Sequence, residues 1–192
     1  NMGKSVTRSG RNREIDKGCR RQRKMCIRNR EEYIAMIAGK TGAMFQTGAD
    51  TGSILAGADA ATVQNMAAWG LNVGLCFQIM DDYIDMVSDT ETLGKPSGSD
   101  IVQGKRTLIA IHAIESGADL PTFKKLFGTG QDSEGELDEA VNELKENGSI
   151  QYALDRAMKH HRIAHDCLDA LEPSEAVTIL RNMTDFQLVR IN

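Results

Sequence analysis

Phe77-Gln78-Ile79-Met80-Asp81-Asp82-Tyr83-Ile84-Asp85 is the stretch on which the reading of this chain turns. Residues three and four apart are neighbours on a helix, so Gln78, Asp81, Asp82 and Asp85 share one face. The residues just before them (Leu71, Val73, Leu75, Phe77) are apolar, which marks a helix buried over much of its surface. Three carboxylates gathered near the C-terminal end of such a helix repel one another, and the helix dipole disfavours them further. The arrangement calls for a cation. Hard oxygen donors on one face suit Mg²⁺, which takes one or two carboxylates and completes its shell with water and phosphate oxygens. The bland alternative is an acidic helix end exposed to water.

Outward from this block the pattern stays helical. Helices are expected over about 31–56, 60–87, 105–116, 121–128, 134–147, 149–171 and 173–189, with Asp59 or Thr62 opening the second. A polar, glycine-rich loop covers about 88–104. The prolines (Pro96, Pro121, Pro173) all stand where helical periodicity breaks. No alternating strand pattern appears, so the fold class is all-α, an antiparallel helical bundle. Gly70 and Gly74 each cost about 1 kcal/mol inside a helix relative to Ala. Either another helix or an apolar substrate tail must come close there, and the sequence does not choose.

Two further features bear on an anion. The loop Gly94-Lys95-Pro96-Ser97-Gly98-Ser99-Asp100-Ile101-Val102-Gln103-Gly104-Lys105-Arg106-Thr107 follows the acids and brings Lys95 and Lys105, which can reach a metal-bound diphosphate as point charges. Helical spacing also puts Tyr33, Ile37, Lys40 and Met44 on one stripe. Lys40 there either snorkels to solvent, the commoner fate, or meets a buried anion, and the expectation drawn is that it points into the bundle cavity. His161 and His165 have the i, i+4 spacing of a zinc pair. Arg162 rather than a glutamate stands between them, which favours a solvated face. Cys167 beside His165 reads as a packing residue.

The 192 residues carry a net charge of −4, 41% hydrophobic and 26% charged side chains, ordinary for a soluble globular protein. The charge is unevenly spread: residues 1–30 hold eleven Lys/Arg against Glu14 and Asp16. This basic arm has no aromatic residue to stack on bases, so a solvated arm is favoured over nucleic-acid binding. No apolar run approaches the roughly 18–20 residues that span a bilayer. The opening residues lack the apolar core of a secretory signal. Cys19, Cys26, Cys76 and Cys167 show no CxxC spacing, which points to reduced thiols and a cytoplasmic setting.

Taken in order, these elements resemble the trans-isoprenyl (polyprenyl) diphosphate synthase family from about Glu31 to the C-terminus. They are Lys40-Thr41, the small-residue helix Gly48-Ala49-Asp50-Thr51-Gly52-Ser53-Ile54-Leu55-Ala56-Gly57, and the Phe-Gln-x-x-Asp-Asp-x-x-Asp block. Gly94-Lys95-Pro96, Gly98-x-Asp100, Gly104-Lys105-x-Thr107 and Leu171-Glu172-Pro173-Ser174-Glu175-Ala176 follow. The resemblance implies an isoprenoid-synthase helical bundle, here lacking its N-terminal helices, and usually a homodimer. It implies head-to-tail condensation of an allylic diphosphate with isopentenyl diphosphate, with Mg²⁺ as cofactor. Asp81, Asp82 and Asp85 would be metal ligands, and Lys40, Lys95 and Lys105 diphosphate contacts. Thr41 and Gln78 would line the cation site. The family's first aspartate-rich motif and its isopentenyl-diphosphate-binding basic residues are not found here. Cys19-Arg20-Arg21-Gln22 departs from the family's Cys-Glu-Gly-Gln. The expected activity of this chain alone is therefore weak or nil, the alternative being a non-catalytic subunit that pairs with a complete synthase. A class I terpene cyclase would share the DDxxD block, but its Asn/Ser/Glu metal motif is not evident.

Overall fold

The structure, a computed structural model, describes residues 27–88, 97–131 and 135–190. The basic arm through residue 26 and the segment with Gly94, Lys95 and Pro96 lie outside the described residues. Helix α1 (Arg30–Ile37) runs through a π-helical turn (Ala38–Gly42) into α2 (Ala43–Leu55). The long α3 (Ala60–Val87) follows, then a short α4 (Ser99–Val102), α5 (Leu108–Glu115), α6 (Pro121–Leu126), α7 (Glu136–Glu146), α8 (Ser149–Asp169) and α9 (Glu175–Val189). No strand occurs among the described residues, in keeping with the all-α expectation.

Each boundary has a local cause. Asn29, Asp59, Thr107 and Ser174 stand at N-caps, and their side-chain oxygens accept from Glu32, Thr62, Ala110 and Val177 N–H. Each such cap is worth about 1 kcal/mol. Asp59 is thus the cap of α3, and Thr62 supplies the N–H it accepts. Pro121 opens α6 at N1, where its missing N–H has no helical partner to lose.

Helix α3 is the central element. Trp69, Val73, Leu75, Cys76, Ile79, Met80 and Met86 are all buried, so it is covered on more than one side. Small residues of α8 (Ala153, Ala157, Ala164) are fully buried, and α8 packs along α3. On another side the π turn and α2 cross so closely that a Cβ on Gly74 would lie 2.8 Å from Gly42 Cα, and one on Gly70 2.5 Å from the Phe45 carbonyl oxygen. Both glycines of α3 therefore serve helix packing, which settles the alternative left open by the sequence.

The π turn corrects one expectation. Tyr33 and Ile37 are buried, 2% and 1% exposed, but Lys40 is exposed and Met44 is 76% exposed. A π turn inserts an extra residue into the helical count. The stripe Tyr33–Ile37–Lys40–Met44 is broken there, and Gly42 takes the inner face. The expected single helix over about 31–56 is continuous in path but shifted in register.

Candidate active site

The acids lie at the last two turns of α3, and the chain returns to cap that end. Gly98 N–H donates to the Asp85 carbonyl (2.6 Å), and Ser97 Oγ donates to the Met86 carbonyl (3.1 Å). These bonds satisfy carbonyls that a helix end leaves without partners. The same segment grips the Asp85 side chain: Ser99 Oγ donates to Oδ1 (3.0 Å) and Asp100 N–H to Oδ2 (3.1 Å). Asp85 is 3% exposed, the most buried of the three acids. Its first visible task is to hold the Ser99–Asp100 turn against α3.

Asp82 sits beside it, where Tyr33 Oη donates to Oδ2 at 2.6 Å. Burial pushes the Asp82 carboxyl up to about 7; the Tyr33 bond opposes that, Asp100 adds to it, Lys105 opposes it and Asp81 adds. Tyr33 is raised well above its ordinary range, first by burial and then by Asp82, so it stays a proton donor. Asp81 is half-exposed and paired with Arg190 at 2.9 Å. Burial raises its carboxyl too, against the pull of Arg190. The Arg190 guanidinium lies 4.1 Å over the Phe77 ring and donates to the Phe77 carbonyl at 3.1 Å.

A fourth carboxylate completes the group. Asp100 is buried and ion-paired with Lys105, an exposed lysine whose charge Asp82 feels. The lysine expected to face an anion is thereby held at the aspartates by a residue the sequence reading used only as a motif position. Thr41, in the π turn, donates to Gln78 Oε1 at 3.0 Å. The close crossing at Gly42 and Gly74 is what brings these two together. Lys40, next to Thr41, is exposed. Lys95 lies outside the described residues.

The chemistry of the group follows from its charges. Among the described residues, Asp81, Asp82, Asp85 and Asp100 stand near two cations, Lys105 and Arg190. At Asp82 burial, with Asp100 and Asp81 adding to it, raises the carboxyl's proton affinity. The oxygens of Asp81 and Asp82 can take a hard divalent cation, which would relieve that repulsion as a proton otherwise does. In the sequence Tyr33 shows only as a member of the stripe with Ile37 and Lys40, and nothing singles out Arg190. Tyr33 stands 49 residues from Asp82, and no local spacing signals the pair.

A profile of the polyprenyl synthetase family matches residues 10–144, more than half of the chain. The chain belongs to the polyprenyl synthetase family. Among its relatives, the short chain isoprenyl diphosphate synthase of Methanothermobacter thermautotrophicus is 38% identical over 160 residues, 83% of this chain and 49% of that protein. The geranylgeranyl diphosphate synthase of Methanosarcina mazei is 34% identical over 159 residues, 83% of this chain and 48% of that protein. Among solved structures, the geranylgeranyl pyrophosphate synthetase of Pyrococcus horikoshii superposes with a TM-score of 0.79 at 37% identity, covering 93% of this chain and 55% of that one. This polyprenyl synthetase chain thus spans about half the length of the curated relatives it matches, and its all-α fold is that of the solved synthases. The family profile begins at residue 10, within the basic arm. No helix among the described residues is long and apolar enough to cross a membrane.

Proposed function

We propose that this chain supplies one wall of a prenyltransferase site that condenses an allylic diphosphate with isopentenyl diphosphate. The observation that carries the reading is Asp82. Its carboxyl is pushed up to about 7 among Asp81, Asp85 and Asp100, with Lys105 tethered alongside. A carboxyl so raised beside other acids is suited to gather cations and, through them, a polyanion. Relatives named as isoprenyl and geranylgeranyl diphosphate synthases point to the same substrates.

Mg²⁺ fits the donor set, and when bound it would neutralise charge on a departing diphosphate. Asp81 and Asp82 would hold it. Asp85 would keep the Ser99–Asp100 turn in place, and Asp100 would aim Lys105 at diphosphate oxygens. Lys40 and Lys95 would add point charges. Thr41 and Gln78 would line the path of the cation. In the reaction the allylic carbon–oxygen bond breaks and diphosphate leaves with the electron pair. The double bond of isopentenyl diphosphate attacks the resulting carbocation, a carbon–carbon bond forms, and a proton is lost. The site works by electrostatic stabilisation of a leaving anion, which requires donors already in position.

Helix α2 has no buried residue, and Ile54 and Leu55 are 58% and 82% exposed. Apolar exposure of this kind among the described residues favours self-association, most simply as a symmetric dimer. The test is turnover with radiolabelled isopentenyl diphosphate, an allylic primer and Mg²⁺, with the chain alone and with a separately expressed N-terminal half of a related synthase. Product on complementation, abolished by Asp81→Ala with Asp82→Ala, supports the reading. Product that survives the double substitution overturns it.

A further inference from the structure

The histidine pair that the sequence reading set aside as a solvated face is completed by a third residue from another helix. His161 and His165, one turn apart on α8, both turn Nε2 toward a single oxygen of Asp185 on α9, at 3.0 and 2.7 Å. The two imidazoles are only about one-fifth exposed, and their ring centroids are 4.6 Å apart. The two ring nitrogens and the carboxylate oxygen all lie within 4.8 Å of one another. We infer that His161, His165 and Asp185 form a Zn²⁺ site, separate from the aspartates of α3, that pins the C-terminal helix α9 to α8.

The donor chemistry selects the ion. Two imidazoles and one carboxylate are the borderline donors that Zn²⁺ prefers over Mg²⁺, and three protein ligands leave a fourth position for water. Tetrahedral zinc needs ligand atoms a little over 3 Å apart with bonds of about 2.0–2.1 Å, so a small outward turn of these side chains admits the ion where the shared hydrogen bonds now run. Asp185 is already a carboxylate: burial works against its charge, but the hydrogen bonds from His165 and His161 prevail and hold it below the usual range.

One neighbour must give way. Arg181 Nη1 lies 3.3 Å from His165 Nδ1, a contact that places the imidazole proton on Nε2. A metal on Nε2 needs that proton on Nδ1, so Arg181 must swing off. It has somewhere to go, since its Nη2 already donates to Asp169 at 2.6 Å. Arg181 therefore acts as a resident competitor of the metal, and shortening it should tighten binding.

The test uses the purified chain stripped of metal by EDTA and dialysed, with excess Mg²⁺ present to saturate the aspartates. Calorimetry with Zn²⁺ and visible spectra with Co²⁺ read the site. Expected are saturable Zn²⁺ binding with one ion per chain, a rise in Tm, and the d–d bands of low-coordinate Co²⁺. His161→Gln and Asp185→Asn should each weaken binding by about tenfold or more, Arg181→Met should tighten it, and Asp81→Asn with Asp82→Asn should leave it unchanged. Circular dichroism confirms that each variant folds. No saturable Zn²⁺ binding by the wild type overturns the proposal. Equal binding by Asp185→Asn, which would mean a two-histidine surface chelate, overturns it as well. Loss of binding in the Asp81/Asp82 variant would assign the zinc to the aspartates and also refute it.

Discussion

Asp82 and Asp185 are both aspartates that accept short hydrogen bonds from ring-bearing donors, yet their environments drive them in opposite directions. Asp82 sits at the buried end of α3 among other acids, and burial carries it up to about 7 despite the Tyr33 bond. Asp185 stands 57% exposed on α9 between two imidazoles, and its hydrogen bonds outweigh burial and lower it. The same functional group is thus strained in one region and at ease in the other. Burial and the sign of the neighbours decide, not the hydrogen bond itself. Each region is also guarded by an arginine from the C-terminal part of the chain: Arg190 at Asp81 and Arg181 at His165.

The sharpest way to break this comparison is Asp82→Asn. In the native state the carboxyl keeps its proton up to about pH 7, whereas in the unfolded chain it ionises near pH 4. Between those values the native state holds a proton that the unfolded state has released, so metal-free stability falls as pH rises through the window. Asp82→Asn should remove that loss and raise stability at pH 8 by about 1–3 kcal/mol. Urea unfolding in EDTA at pH 5 and pH 8 measures it, and the gain should be small at pH 5. A variant less stable than wild type at pH 8 would show that the cluster is not strained.

Arg190→Met is expected to act with the opposite sign and less strongly. It leaves Asp81 without its partner while keeping most of the packing on Phe77, and should cost about 1 kcal/mol at pH 8 in the absence of metal. Restoration by added Mg²⁺ would show that arginine and metal share one job. Asp185→Asn should have the smallest effect on the metal-free chain, below about 1 kcal/mol, because exposed ion pairs contribute little. An effect as large as that of Asp82→Asn would erase the distinction between the two regions.

How much of this could be read in the sequence depended on how local the signal was. The span of α3 follows from its apolar periodicity, and the structure agrees on it; spacing alone sets Asp81, Asp82 and Asp85 near one another, while packing gives them separate partners in Arg190, Tyr33 and Ser99. The π turn at Ala38–Gly42 has no comparable signature. It coincides with the close crossing of Gly42 over Gly74, and it puts the Tyr33–Met44 stripe out of register. Tyr33 on Asp82, Arg190 on Asp81, and Asp185 on His161 join residues that packing brings together across 49, 109 and 24 positions. A single sequence offers no rule for such pairs. The histidine pair is instructive: its spacing was visible, but the third donor came from α9, and Arg162 between the histidines is simply turned to solvent.

The central claim is that the aspartates of α3 gather a divalent cation and a diphosphate together. It is tested most directly by calorimetry of the chain with a non-hydrolysable allylic diphosphate, with Mg²⁺ and with EDTA, for the wild type and for Asp81→Ala with Asp82→Ala. The account predicts binding that appears with Mg²⁺, vanishes in EDTA and is lost in the double variant. Binding that is indifferent to EDTA, or equal in wild type and variant, would contradict it.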